Sequence, residues 1–258
     1  MTLVDGRSAR RRAEKKRPRP RLSIVGILGE LLITAGVVVL LFLGWQVWLN
    51  DIIDGTQQND QAHELSESWS RGDGATLASP DRPDPGDPVV GTAPGNAVKF
   101  ANLIVPRFGE GWTRSIAEGI GVYDVLSEGI GHYPGTAMPG GIGNSAYAAH
   151  RTGWGAPFGD IANLQVGDSI YVETEAGWYR YAVRSLEYVM PSGVGVLDPV
   201  PQSPGATATD RLITLTSCNP KLTAAERIIV YGVYDTWYPR ADGAPPEIAS
   251  TVSASAAR

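Results

Sequence analysis

The sequence of 258 residues contains one cysteine and only three histidines. A single cysteine excludes an internal disulfide and leaves a zinc site without a thiolate pair. Neither HExxH nor CxxC spacing occurs, and the glycines at 129–143 lack the lysine of a phosphate-binding loop. A serine hydrolase stays open, although no G-x-S-x-G motif is present. We therefore expect no metal and no other cofactor.

Charge is unevenly distributed along the chain. Residues 1–21 hold nine basic and two acidic side chains, whereas the whole chain carries a net charge of -5, so the remainder is acidic. A basic N-terminal segment followed by an acidic remainder does not fit a nucleic-acid-binding domain. It is typical of a signal that keeps the N-terminus in the cytoplasm. We expect residues 1–21 to be a cytoplasmic tail and nucleic acid not to be a partner.

A long apolar run follows the basic segment. From Leu22 to Gly44 the only charged residue is Glu30, and about 20 apolar residues suffice to span a bilayer as a helix. Trp45 and Trp48 match an interfacial aromatic anchor. The run is longer than the apolar part of a cleaved signal peptide, and no small-x-small cleavage site follows it. We predict an uncleaved single-pass membrane helix over residues 22–48, with the rest of the chain outside the cell.

The segments that flank the central region are polar. We expect an extracytoplasmic helix and spacer over residues 49–95, in which 50–70 continues as a helix and 71–95, rich in Pro, Gly and Asp, is semi-extended. The Arg-Gly-Asp at 71–73 is interpreted as coincidence rather than an adhesion motif. Residues 241–258 are small and polar, and we expect a disordered tail.

Residues 96–240 form one predicted domain with mostly β signals. Short branched or aromatic runs alternate with polar residues and are separated by Gly and Pro turns, which favours a closed or nearly closed β-barrel. Two short helices are predicted, at Ile116–Glu128 and Phe158–Leu164. The predicted strands are Phe100–Val105, Asn144–His150, Asp168–Thr174, Trp178–Val189, Arg211–Thr216 and Arg227–Tyr234.

Cys218 stands at the end of a predicted strand. A cysteine nucleophile needs partial exposure, a proton-transfer group and a cation nearby. Asn219-Pro220 ends the strand, because proline has no amide donor, and Arg227 opens the next strand. Antiparallel pairing would set Arg227 beside Cys218. The alternatives are a buried inert cysteine and a surface arginine paired with Glu226.

The three histidines give a short set of proton-transfer candidates. His150 follows a short predicted strand and precedes a loop, which places it at a strand end. His132 lies in a turn-rich segment that could line a groove, and His63 lies in the polar segment near the membrane, where we expect it to be solvated. Spacing favours His150 and leaves His132 open.

These residues and their neighbours resemble the sequence motifs of a known protein family. The string Thr214-Leu-Thr-Ser-Cys218 resembles the sortase motif Thr-Leu-x-Thr-Cys, and Arg227 falls where the family has its arginine. The segment Ala149-His150-Arg151 resembles the family's Gly-His-Arg. The strings GHYPGTAMPG, HRTGWGAPF and CNPKLTAAERIIVYG are most similar to class E sortases, the housekeeping type of high-GC Gram-positive bacteria.

The resemblance implies an eight-stranded β-barrel with short helices and a cysteine transpeptidase at the cell surface. Cys218 would be the nucleophile, His150 would transfer protons, and Arg227 would hold the substrate and its oxyanion. The positions implied to bind substrate are Tyr133, Thr216 and Ser217.

The implied partners are secreted proteins with a C-terminal Leu-Ala-x-Thr-Gly or Leu-Pro-x-Thr-Gly sorting signal and an amine of the peptidoglycan precursor lipid II. Class E members resemble one another in favouring the Leu-Ala form, and Tyr133 matches the position linked to that preference. An L,D-transpeptidase is an alternative, but its cysteine follows Ser/Thr-x-Gly, which this sequence lacks. The other alternative is a membrane-tethered β-barrel without catalytic activity that binds wall or partner proteins.

Overall fold

The computed structural model describes residues 23–45, 49–70, 76–79 and 81–256. The chain forms two compact units, Met1–Leu43 and Gly44–Arg258. The predicted basic tail, Trp48 and the Arg-Gly-Asp at 71–73 lie outside the described residues.

The first helix, α1, runs from Ile24 to Gly44, and none of its side chains is buried. Its 21 residues rise by about 31 Å at 1.5 Å per residue. It is long and apolar enough to cross a membrane, whose hydrocarbon core is about 30 Å thick. The helix falls within the span predicted from the sequence.

The second unit contains an eight-stranded closed barrel. Its strands are β1 (Lys99–Ile104), β2 (Thr113–Glu118), β3 (Ile130–His132), β4 (Gly143–Ala148), β5 (Ser169–Thr174), β6 (Gly177–Val189), β7 (Arg211–Asn219) and β8 (Glu226–Pro239). They close in the order β1-β2-β3-β4-β7-β8-β6-β5. The pairs β2/β3 and β4/β7 are parallel, and the other pairs are antiparallel. The expected eight-stranded barrel is confirmed.

The helix predicted at Ile116–Glu128 is wrong. Strand β2 enters this segment, a single turn of π-helix covers Val122–Leu126, and β3 follows. Every residue of β2 is buried, so the strand lacks the polar alternation that separates a strand from a helix in a sequence. The other predicted helix is one short 3₁₀ turn at Ile161–Asn163.

The barrel interior is filled by aliphatic and tyrosine side chains. Alternate residues point inward, including Tyr147 of β4, Ile213 and Leu215 of β7, and Ile228 and Val230 of β8. Each of these five is at most 1% exposed, and burying one such side chain contributes about 1.5–3 kcal/mol. The residues between them therefore face the outside of the sheet.

A second long helix, α2 (Asn50–Ser70), packs on the outside of the barrel against β1 and β2. Its buried residues recur on one helical face, and they include Gln58, Ala62 and Ser66. Asn102 of β1 donates from Nδ2 to the Ala62 carbonyl at 2.9 Å. His63, expected to be solvated, is instead 5% exposed on this helix.

The segment before β1 has no regular secondary structure where it is described, and it lies along the barrel. The Arg82 guanidinium sits 3.8 Å from the centre of the Tyr238 ring. The Trp237 indole N–H donates to the Gly86 carbonyl at 3.1 Å.

The end of the chain differs from the disordered tail that its composition suggested. Helix α3 (Ala249–Ala256) follows a 3₁₀ turn at Pro246–Ile248. Ala244, Ile248 and Val252 recur every fourth residue and are buried. They pack in a cluster with Ile104, Tyr171 and Trp178. A small apolar stripe thus docks a segment whose overall composition is polar.

Candidate active site

Cys218 and Arg227 are direct partners across β7 and β8. Cys218 is partly exposed and free. The Arg227 guanidinium donates from Nη1 to the carbonyls of Ala224 at 3.2 Å and Glu226 at 3.0 Å. Among the described residues no carboxylate is in ion-pair range of it, because the Glu226 carboxylate accepts from Asn219 at 2.9 Å instead. The cation therefore stays available beside the sulfur.

The parallel pairing of β4 and β7 brings His150 close to Cys218. Ala148, the last residue of β4, is the register partner of Thr216 in β7, and the amide of Ala149 donates to the Thr216 carbonyl at 3.3 Å. Two parallel strands advance together, so His150 comes level with Cys218 two residues later.

The three side chains share the outer face of the sheet. The face of each side chain follows from its distance in sequence to a residue that points into the barrel. Leu215 lies three residues before Cys218, and Tyr147 lies three residues before His150. Ile228 lies one residue after Arg227. An odd offset reverses the face on which a strand residue lies. The predicted trio is therefore gathered on one outer face, at the end of three adjacent strands.

The imidazole of His150 is partly shielded from water. Its ring stacks on Trp154 with centroids 6.5 Å apart, and its Nε2 is buried without a hydrogen-bond partner among the described residues. Burial lowers the pKa of His150 from its ordinary 6.5, and the charge of Asp51 opposes that change. A neutral imidazole with an unused nitrogen can accept a proton near neutral pH.

The other in-domain histidine is excluded from this site. His132 is fully buried, its Nδ1 lies 2.7 Å from Oε2 of Glu118, and its Nε2 lies 3.1 Å from the Ala137 carbonyl. Its ring also contacts Tyr147 inside the barrel. The fold thus places His150, and not His132, level with Cys218.

Sequence reasoning missed a second cation beside Arg227. Arg151 donates from Nη1 to the Cys218 carbonyl at 3.3 Å and to Oδ1 of Asn219. It ties the segment after His150 to the end of β7. Its position directly after the histidine was visible in the sequence, but its reach across to β7 depends on the parallel pairing.

The arrangement supplies what acyl transfer from a peptide needs: a thiol, a proton-transfer group and a cation for a developing oxyanion. A family model described as a sortase domain matches residues 103–235 of the chain. The chain belongs to the sortase family.

The relatives of this sortase include proteins named sortase E. It is 36% identical over 249 residues to sortase SrtE1 of Streptomyces coelicolor, and the match covers 94% of this chain and 66% of that protein. The SrtA sortase from Actinomyces oris matches with a TM-score of 0.61 and 36% identity, over 64% of this chain and 96% of that one. Sortase E1 from S. coelicolor, solved with a tripeptide in the active site, matches with a TM-score of 0.55 and 39% identity, over 61% and 99%. The class E resemblance is confirmed, and the enzyme is a cysteine transpeptidase.

The three positions implied to bind substrate in this sortase are not equivalent. Thr216 lies two residues before Cys218, on the same face of β7, and its Oγ1 lies 3.1 Å from the Tyr133 hydroxyl. Ser217 lies on the opposite face, is 3% exposed, and donates to the Ala149 carbonyl at 2.8 Å. The structure brings Tyr133 and Thr216 to the face of Cys218 and leaves Ser217 behind it.

Proposed function

We propose that this sortase cleaves a C-terminal sorting signal between Thr and Gly and transfers the acyl group to an amine of lipid II. The observation that carries the proposal is the gathering of Cys218, His150 and Arg227 on one outer face of the sheet. An extended peptide can lie along such a face, whereas the interior is filled by packed side chains.

The first half-reaction forms a thioester. His150 takes the proton of the Cys218 thiol as the sulfur attacks the threonine carbonyl carbon, and the carbonyl oxygen becomes an oxyanion that Arg227 stabilises. The C–N bond breaks as His150 gives a proton to the leaving glycine amine. The downstream peptide departs, and the threonine carbonyl stays bound to sulfur.

The second half-reaction reverses these roles. The amine nitrogen attacks the thioester carbon while His150 takes its proton, and Arg227 again faces the oxyanion. Collapse breaks the C–S bond and leaves a new amide, and His150 returns the proton to the Cys218 sulfur. Because burial lowers the pKa of His150, the neutral imidazole needed for this step is well populated near pH 7.

Location follows from the anchor and the basic tail. We propose that α1 crosses the cell membrane once, with residues 1–21 in the cytoplasm and the barrel outside. The substrates would be secreted proteins with Leu-Ala-x-Thr-Gly or Leu-Pro-x-Thr-Gly signals. Tyr133 and Thr216, joined by their hydroxyls, would contact the residue before x and favour the Leu-Ala form.

The test uses the full chain in detergent with a Leu-Ala-x-Thr-Gly peptide and a short peptide that carries a free primary amine. Mass spectrometry should detect a thioester on Cys218, its release by hydroxylamine, and the ligated product. Cys218→Ala should abolish all three, and a peptide with Gly replaced by Pro should not react. Ligation by Cys218→Ala would refute the proposal and leave a non-catalytic binding role for the thiol-bearing face.

A further inference from the structure

Helix α2 lies outside the matched sortase domain, yet it contacts the loop that follows His150. The Gly153 amide donates to Oδ2 of Asp51 at 3.1 Å. Gln58 donates from Nε2 to the Trp154 carbonyl at 2.8 Å, and the Trp154 ring stacks on His150. The helix thus restrains the backbone of this loop, including the residue whose ring covers the imidazole.

The contact between α2 and the loop is a close backbone approach. Gly155 has φ +73°, and a Cβ there would meet the Gly55 nitrogen at 2.8 Å. Asp51, Gly55 and Gln58 recur at intervals of four and three residues, so they share one face of the helix. This face brings the Asp51 carboxylate to the loop with little freedom to move away.

Two unsatisfied atoms mark the region between α2 and the catalytic groups. Oδ1 of Asp51 and Nε2 of His150 are both buried, and neither has a hydrogen-bond partner among the described residues. The charge of Asp51 acts on His150 and favours its protonated form.

The other titratable groups near the site come from the loop and from β7 and β8. The cations are Arg151 and Arg227, the thiol is Cys218, and the carboxylate of Glu226 is bound by Asn219. Asp51 is therefore the acidic group that acts on the imidazole from α2.

We propose that Asp51 is a positioning residue for His150: its carboxylate holds the following loop and supplies the negative charge opposite the imidazolium formed during catalysis. The inference rests on the proposed acid–base role of His150. It assigns part of the sortase mechanism to a helix that precedes the barrel. The imidazolium carries the proton destined for the leaving amine, so a nearby carboxylate lowers the free energy of that state.

Asp51→Asn separates the two roles of the carboxylate. The amide oxygen still accepts from Gly153, so the anchor is kept, but the charge is lost. The full chain labelled in its histidines has only three imidazole signals, and His150→Gln assigns the one of interest. In Asp51→Asn we expect the NMR titration of His150 to move to lower pH, kcat to fall by roughly tenfold, and KM to change little.

Two further variants complete the test. Asp54→Asn removes a carboxylate one turn along the same helix, which bonds to Asn50, and it should leave the His150 titration unchanged. Asp51→Glu keeps the charge and should titrate closer to wild type than Asp51→Asn does, with a similar thermal unfolding temperature. An unchanged His150 titration in Asp51→Asn, or the same change in Asp54→Asn, would overturn the inference. The titration needs no substrate, so a lack of transpeptidation would refute the proposed function separately.

Discussion

Cys218 and Arg227 face each other across β7 and β8 as register partners, although eight residues separate them in the chain. Their relative position is therefore set by the hydrogen-bonded ladder of two long strands rather than by the loop that joins them. A rigid placement of this kind is what oxyanion stabilisation requires, because the cation must already be in place when the charge forms.

Replacing Arg227 tests that placement. Arg227→Lys keeps the charge but loses the planar guanidinium, and we expect kcat/KM for ligation to fall by about 10²-fold, with a larger fall in Arg227→Ala. Lys221→Ala removes an exposed cation from the loop between the two strands and should retain near-wild-type rates. Thermal unfolding checks that each variant folds. Wild-type kcat/KM in Arg227→Ala would remove this residue from the mechanism.

The burial of His150 predicts a pH dependence of stability. Its folded pKa is lowered below 6.5, so just below pH 6.5 the unfolded chain binds the proton and the folded chain does not. The free energy of unfolding therefore falls as pH drops through this window. Urea unfolding at pH 7.5 and pH 5 should show a larger loss in wild type than in His150→Gln. Equal losses would show that the folded protein imposes no cost on protonating His150.

The hydroxyl pair of Tyr133 and Thr216 predicts coupled effects on substrate choice. Tyr133→Phe and Thr216→Val each remove one hydroxyl of the pair, and we expect the ratio of kcat/KM for Leu-Ala over Leu-Pro peptides to fall by about threefold to tenfold. The double variant should lose little more than either single one, because the interaction is already broken. Strictly additive losses would mean that the two hydroxyls act independently.

Glu173 predicts a large effect on stability away from the site. This carboxylate is 2% exposed and accepts from Ser66 of α2 at 2.7 Å, Asn102 of β1 at 3.0 Å and Arg240 at 3.0 Å. Glu173→Gln leaves the Arg240 cation without its carboxylate, so we expect a loss of about 3 kcal/mol in the free energy of unfolding. Glu67→Gln, exposed on α2, is the control. A loss in Glu173→Gln no larger than in this control would contradict the expectation.

Much of the barrel could be predicted from the sequence. Strands β5 and β6 alternate over a clear turn, and β7 and β8 carry branched runs that end at Asn219-Pro220 and begin near Arg227. Strand β2 could not be recognised because it is buried on both faces, and β3 has only three residues. The local pattern of polar and apolar residues does not distinguish such strands from other structures.

The candidate site could be predicted only in part from the sequence, for a similar reason. Cys218 and Arg227 follow from adjacent antiparallel strands, which sequence order suggests. His150 could be preferred over His132 only weakly, because its place depends on the parallel pairing of β4 with a strand more than sixty residues away. Asp51 could not be found at all, since its role requires the docking of α2 onto the loop after His150.

The parallel pairing of β4 and β7 sets sulfur and imidazole at the same level along the sheet, whatever the length of the loops between the two strands. Both strands run toward the same edge, so the connections before β5 and after β6 can grow or shrink without shifting either group along the sheet. Related enzymes can thus reshape the walls around the peptide while the reacting atoms keep their mutual distance.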